Sequence, residues 1–127
     1  MSRSFVEHLN LTVSNPESIA NVLCSIFDWE IRWSGDALDD VSTIHVGSDS
    51  SYLALYTHAD ATNSVKRNHK EIANMNHIGI VVDNLEKVEE KVKAHSFKPF
   101  SHGDYEPGSR FYFLMDDDIE IEVISYN

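Results

Sequence analysis

Three side chains in this 127-residue chain have the type and the phase to act together: His8, His77 and Glu122. In one apolar-alternating stretch Leu9, Leu11 and Val13 alternate with His8, Asn10 and Thr12. In a second, Ile78, Ile80 and Val82 alternate with His77, Gly79 and Val81; in a third, Ile119, Ile121 and Val123 alternate with Glu120 and Glu122. Successive side chains of a strand point to opposite faces. If the aliphatic sets pack against helices, both histidines and both glutamates lie on the other face. Neutral imidazole plus carboxylate is a donor set for Zn, Ni, Mn or Fe(II), and three protein ligands leave positions open for water or substrate. A lone strand histidine is more often a hydrogen-bonded structural residue, and that use stays open for each; two at equivalent places of a repeat argue for a metal. Glu120 is an alternative ligand, a proton acceptor or a solvated strand glutamate.

Other residues offer chemistry or plain packing. In YLALYTH, Leu53 and Leu55 go under while Tyr52, Ala54 and Tyr56 come up. Tyr56 and Tyr112 line a cleft or fill a core. Arg110 holds an anionic group of a substrate or pairs with the surplus of acidic residues. The segment SHGDYEPGS, with His102, Asp104 and Tyr105, reads as a loop, either a lid or a surface connection. Cys24 sits beside an apolar helix stripe as an inert thiol.

The elements that must position these groups come as an internal repeat. VEHLNLTVSNPESI and MNHIGIVVDNLEKV superpose at an offset of 69 residues, His8 on His77 and Asn15 on Asn84. Each is a strand followed by a helix start, with Ser14 and Glu17, then Asp83 and Glu86, at capping-box spacing. The first helix carries Ile19, Val22, Leu23, Ile26 and Phe27; the second carries the thinner stripe Leu85, Val88 and Val92. Strands are expected at 29–33, 42–47 and 52–57, and again at 97–100, 110–115 and 119–125. Residues 59–74 read as a polar linker with a helical turn or two. The predicted fold is α+β: two βαβββ modules, 1–58 and 75–127, in one domain spanning 1–127. Neither module buries enough surface alone, so they are expected to share a core, with half-barrel sheets enclosing a cleft.

Composition narrows the partners. The chain has 21 acidic and 10 basic residues, a formal charge of −11 and a pI near 4.8. Such a surface repels nucleic acid and anionic lipid; the densest basic group is Lys66, Arg67 and Lys70. No apolar run approaches the ~18 residues of a membrane span, and MSRSFVEHLN lacks the apolar region of a secretory signal. One cysteine allows no intrachain disulfide, in keeping with a cytoplasmic setting. The acidity tolerates a divalent metal or a cationic ligand.

The repeated βαβββ pattern, a histidine opening each half and the ending GSRFYFLMDDDIEIEV together resemble the vicinal oxygen chelate superfamily, over nearly the whole chain. That group includes glyoxalase I, extradiol dioxygenases, and fosfomycin- and bleomycin-resistance proteins. The resemblance implies one divalent metal ion on His8, His77 and Glu122, with Glu122 also in a catalytic role. It further implies a small-molecule substrate, for which Tyr56, Arg110 and Tyr112 are the contacts the residues themselves offer, with lyase, isomerase or dioxygenase chemistry and a homodimer. Asp116, Asp117 and Asp118 occupy a turn where the family pattern has Asp-Pro-Asp-Gly. Ala54 stands where glyoxalase-type members carry a fourth ligand, a glutamate. The alternative is a metal-free small-molecule or antibiotic-binding protein of the bleomycin-resistance type, whose acidic cleft suits a cationic drug.

Overall fold

The computed structural model describes residues 3–38, 41–63 and 69–127; Lys66 and Arg67 lie outside the described residues. The chain divides into two compact units, Met1–Thr62 and Asn63–Asn127. The first runs β1 (His8–Thr12), α1 (Pro16–Phe27), β2 (Glu30–Leu38), β3 (Val41–Gly47) and β4 (Tyr52–His58). The second repeats the order with β5 (Ile78–Val81), α2 (Leu85–Ala94), β6 (Phe100–Tyr105), β7 (Gly108–Leu114) and β8 (Glu120–Ser125). The architecture is α+β, with two βαβββ modules whose sheets are open.

Each sheet holds four strands, in the order β1-β4-β3-β2 and β5-β8-β7-β6. The outer pairs β1/β4 and β5/β8 are parallel, as strands separated by a helix crossover can be, and the rest are antiparallel hairpins. The registers correspond. Asn10, two residues after His8, lies opposite Ala54; Gly79, two residues after His77, lies opposite Glu122.

The helices cover the aliphatic faces as the periodicity requires. Pro16, Ile19, Ala20, Leu23 and Ile26 of α1 are buried, as are Val46, Leu53 and Leu55 of the first sheet. In the second unit Val88 and Val92 of α2 are buried, with Phe111, Phe113, Ile121 and Val123. Each side chain of this size stabilises the fold by about 1.5–3 kcal/mol. Leu9 departs from expectation at 40% exposure, because α1 packs over β2, β3 and β4 while β1 is the sheet edge.

Both helix starts fall one residue later than the capping-box spacing suggests. Asn15 Oδ1 accepts from the Ser18 amide at 3.1 Å, and Asn84 Oδ1 accepts from the Lys87 amide at 3.0 Å. Pro16 explains the first case: it occupies the opening helical turn, where its missing amide costs nothing, and makes its predecessor the cap.

The segment read as the loop SHGDYEPGS is instead mostly strand. Residues 100–105 form β6, and the Glu106-Pro107 turn, with a cis peptide bond, leads into β7. β2 likewise runs five residues past the expected Trp33. Residues 59–60 and 69–74 of the connection form turns, without helix among the described residues. No helix among the described residues is long and apolar enough to cross a membrane.

Candidate functional site

The second unit gathers its polar groups on the sheet face away from α2. Glu122 is the centre, because it sits on the inner strand β8 between β5 and β7. Its Oε2 accepts from Arg110 Nη1 at 2.9 Å and from the Tyr112 hydroxyl at 3.1 Å. Both come from β7, where Tyr112 is the direct ladder partner of Glu122 and Arg110 is its diagonal neighbour. Arg110 and Glu122 are each only 12% exposed, so this pair is worth more than a surface ion pair.

The other oxygen, Oε1, faces His77 Nε2 at 3.2 Å. The opposite side of the ring is held as well, with Nδ1 2.7 Å from Asn76 Oδ1. A ring nitrogen and a carboxylate oxygen at this separation share a cation, either the proton of Nε2 or a metal. Two donors ~2.1 Å from one ion stand about 3 Å apart at right angles, so the pair fits a divalent metal. Holding the far ring nitrogen is also how metal-ligating histidines are commonly oriented.

Glu120 lies on the same face, two residues before. His69 Nε2 approaches its Oε1 at 2.9 Å, and His77 Nδ1 stands 4.0 Å from its Oε2. Its carboxylate is therefore engaged rather than freely solvated. Tyr105 underlies the Arg110 guanidinium at 4.8 Å and so joins this cluster. Arg110 Nε is buried without a hydrogen-bond partner among the described residues. Burial, the largest single influence, opposes the charge of Arg110. The hydrogen bond to Glu122 together with the charges of Tyr105, Glu122 and Tyr112 outweighs it and keeps Arg110 above the ordinary arginine value. Burial, then the bond to Glu122, raises the Tyr112 hydroxyl, which stays a protonated donor.

The first unit has the matching histidine with a different set of neighbours. His8 Nδ1 lies 2.9 Å from Glu7 Oε1, so this ring too is fixed by the preceding residue and presents Nε2. The Tyr52 hydroxyl donates to the same Glu7 oxygen at 3.2 Å, and the Tyr52 ring stacks on His8 with centroids 5.0 Å apart. The bond from His8, then that from Tyr52, holds the Glu7 carboxyl below its usual value. Burial, then the bond to Glu7, raises the Tyr52 hydroxyl. Tyr52 also stacks on His45 at 4.6 Å. Burial first, then the charges of His8 and Arg32, lowers the His45 imidazole from its ordinary value. Ala54, 2% exposed, occupies the position that Glu122 fills in the second unit. Tyr56 shares that face, half-buried, with Thr12 and Thr43 as ladder partners.

Of the remaining sequence candidates, His102 binds Glu89 of α2 at 3.0 Å, on the helix side of its sheet, and Asp104 accepts from the Ser109 hydroxyl at 2.6 Å. Neither joins the cluster around Glu122. Within each unit, among the described residues, no three His, Cys, Asp or Glu gather as a metal-holding group. Glu7, Asn76 and His69 were missed from sequence. The first two had a signal, since each immediately precedes a repeat histidine; His69 had none, lying in a polar connection.

No protein-family model and no curated protein matches the chain. Solved structures do. The chain is similar to a glyoxylase/bleomycin resistance protein/dioxygenase domain from Frankia sp. EAN1pec, 20% identical over 98% of both chains with a TM-score of 0.81. It is similar to the trypanothione-dependent glyoxalase I of Leishmania major, 16% identical over 98% of this chain and 88% of that one, TM-score 0.77. It is also similar to the fosfomycin resistance protein FosX of Listeria monocytogenes, 16% identical over 98% and 90%, TM-score 0.74. That structure is a complex with Mn(II) and 1S,2S-dihydroxypropylphosphonic acid. These neighbours are members of the vicinal oxygen chelate superfamily, and the chain has their two-module fold.

Proposed function

We propose that this chain is a divalent-metal-dependent enzyme acting on a small molecule, with His8, His77 and Glu122 as the metal ligands. The observation that carries the reading is the His77–Glu122 pair. A ring nitrogen faces a carboxylate oxygen at 3.2 Å, and both are held from behind by other side chains. His8 supports it as the repeat-equivalent histidine, with its Nδ1 held in the same way.

When bound, the ion supplies Lewis-acid stabilisation of developing charge on substrate oxygens. The chain's own groups have distinct parts. Arg110 and Tyr112 hold Glu122 Oε2, leaving Oε1, which faces His77, as the oxygen for a ligand bond or a substrate proton. Tyr112, beside Glu122, and Tyr56, on the matching face of the first unit, are the proposed aromatic contacts of the substrate. Glu120, held by His69, adds a second carboxylate beside His77. Lyase, isomerase and dioxygenase chemistry all suit this set, and a homodimer is the proposed assembly.

One observation favours a second reading, a metal-free binding protein of the bleomycin-resistance type. Ala54 removes one carboxylate from the family's ligand set, and Arg110 already compensates the charge of Glu122. Metal analysis decides between them. Freshly purified protein should carry close to one equivalent of Zn, Ni, Mn or Fe per chain, and His77→Ala should lose it. Equal and negligible metal in both would leave the binding-protein reading.

A further inference from the structure

The first unit carries a group of side chains that the metal reading leaves unused. Four rings, one from each strand, form a row across the sheet face that bears His8. His8 of β1 stacks on Tyr52 of β4, Tyr52 stacks on His45 of β3, and His45 meets Trp33 of β2 at 4.9 Å. Trp33 is 54% exposed. The tip of its six-membered ring lies over Gly35, where an added Cβ would come within 2.5 Å of it, and more than half of the side chain is exposed to a ligand.

A β-bulge adds a charge to this row. Ile31 pairs with Val46 and Trp33 with His45, so Arg32 is the extra residue of β2. Bulges re-aim side chains in this way. The Arg32 guanidinium is carried over the Tyr52 ring, 4.6 Å from its centroid. Among the described residues no carboxylate lies within ion-pair distance of it. Glu7, whose carboxylate feels the Arg32 charge, is itself engaged by His8 and Tyr52, so among the described residues no carboxylate meets Arg32 directly.

We infer that Arg32, Trp33, His45 and Tyr52 form a subsite for a planar aromatic anion, the carboxylate meeting Arg32 and the ring lying on Trp33. The inference rests on the small-molecule reading above but not on its metal. The chemistry is complementary at both ends: guanidinium binds carboxylate through a pair of charge-assisted hydrogen bonds, and an open indole face takes a flat ring in offset stacking. The net charge of −11 repels anions at long range, so only a ligand that meets Arg32 directly recovers the loss.

The test uses metal-stripped protein in a Trp29→Phe background, which leaves Trp33 as the single indole. Benzoate should bind saturably and quench Trp33 emission. Cyclohexanecarboxylate, with the same charge and no flat ring, should bind at least about threefold more weakly. Benzyl alcohol, flat but uncharged, should bind at least about tenfold more weakly. By calorimetry Arg32→Gln should weaken benzoate at least about tenfold, and Trp33→Leu at least about threefold. No saturable benzoate binding, equal binding of the three probes, or wild-type affinity in Arg32→Gln would each overturn the inference. The probe comparison needs no variant at the subsite, so a folding defect in one cannot obscure it. Failure here leaves the metal site untouched, and absence of metal leaves this subsite standing.

Discussion

Ala54 and Glu122 occupy the same ladder position in two sheets of the same topology, each opposite the residue two places after a repeat histidine. One module thus keeps a carboxylate at that position and the other has lost it.

The first prediction follows from that pair. Ala54 is buried, so Ala54→Glu places a carboxylate where it has no water. Without metal the variant should be less stable by about 1–3 kcal/mol. With saturating Zn or Mn it should recover that loss and bind the ion at least tenfold more tightly than wild type. Thermal unfolding with and without metal reads both effects; destabilisation that metal does not relieve would separate Ala54 from any ion.

Asn76 and Glu7 hold the two histidines through Nδ1. Asn76→Ala should lower metal affinity by about 10–100-fold while leaving the fold intact, since residues behind metal ligands have effects of this size. His102→Ala, which breaks the contact to Glu89 and the stacking on Phe111 but nothing around Glu122, should leave metal affinity unchanged. Competition against a chromophoric chelator measures both.

Helix caps give a prediction independent of any site. Asn15→Ala and Asn84→Ala should each cost about 1 kcal/mol in urea unfolding, and Asn15→Ser should restore most of it.

These caps also show what the sequence discloses. The repeat, the βαβββ order, and the faces of the histidines and glutamates follow from period-two alternation and an offset of 69 residues. Tandem cap formers such as Ser14-Asn15 and Asp83-Asn84 defeat a spacing rule, although Pro16 carried the deciding signal. β6 lies later than the strand expected at 97–100, because Ser101, at φ 52°, and a register shift between Phe100 and Gly103 break the alternation that marks a strand. The grip of Arg110 on Glu122 is a diagonal contact, visible only once β7 and β8 have a register. The position of Arg32 depends on a bulge, and nothing in the residues IRWSG announces one. His69 reaches Glu120 across 51 residues, from a segment without periodicity.

Glu7 sets a pH dependence. Its carboxyl is held below the ordinary 4.5 by the bond from His8 and then that from Tyr52. A depressed folded value means that its contribution is present above the unfolded value and is lost as the pH falls through the folded one. Glu7→Gln should therefore lower stability at neutral pH, where the contribution is present, and change little at acid pH, where it is already lost. It should so flatten the acid limb below about pH 4.5, as unfolding at a series of pH values would show.

The most direct measurement is a Co(II) titration of metal-stripped wild type, His8→Ala, His77→Ala and Glu122→Gln, followed by visible absorption. The account predicts one Co(II) per chain in wild type, with ligand-field bands at an affinity that each of the three substitutions lowers at least about tenfold. Binding that ignores all three substitutions, or no binding in wild type, would contradict it.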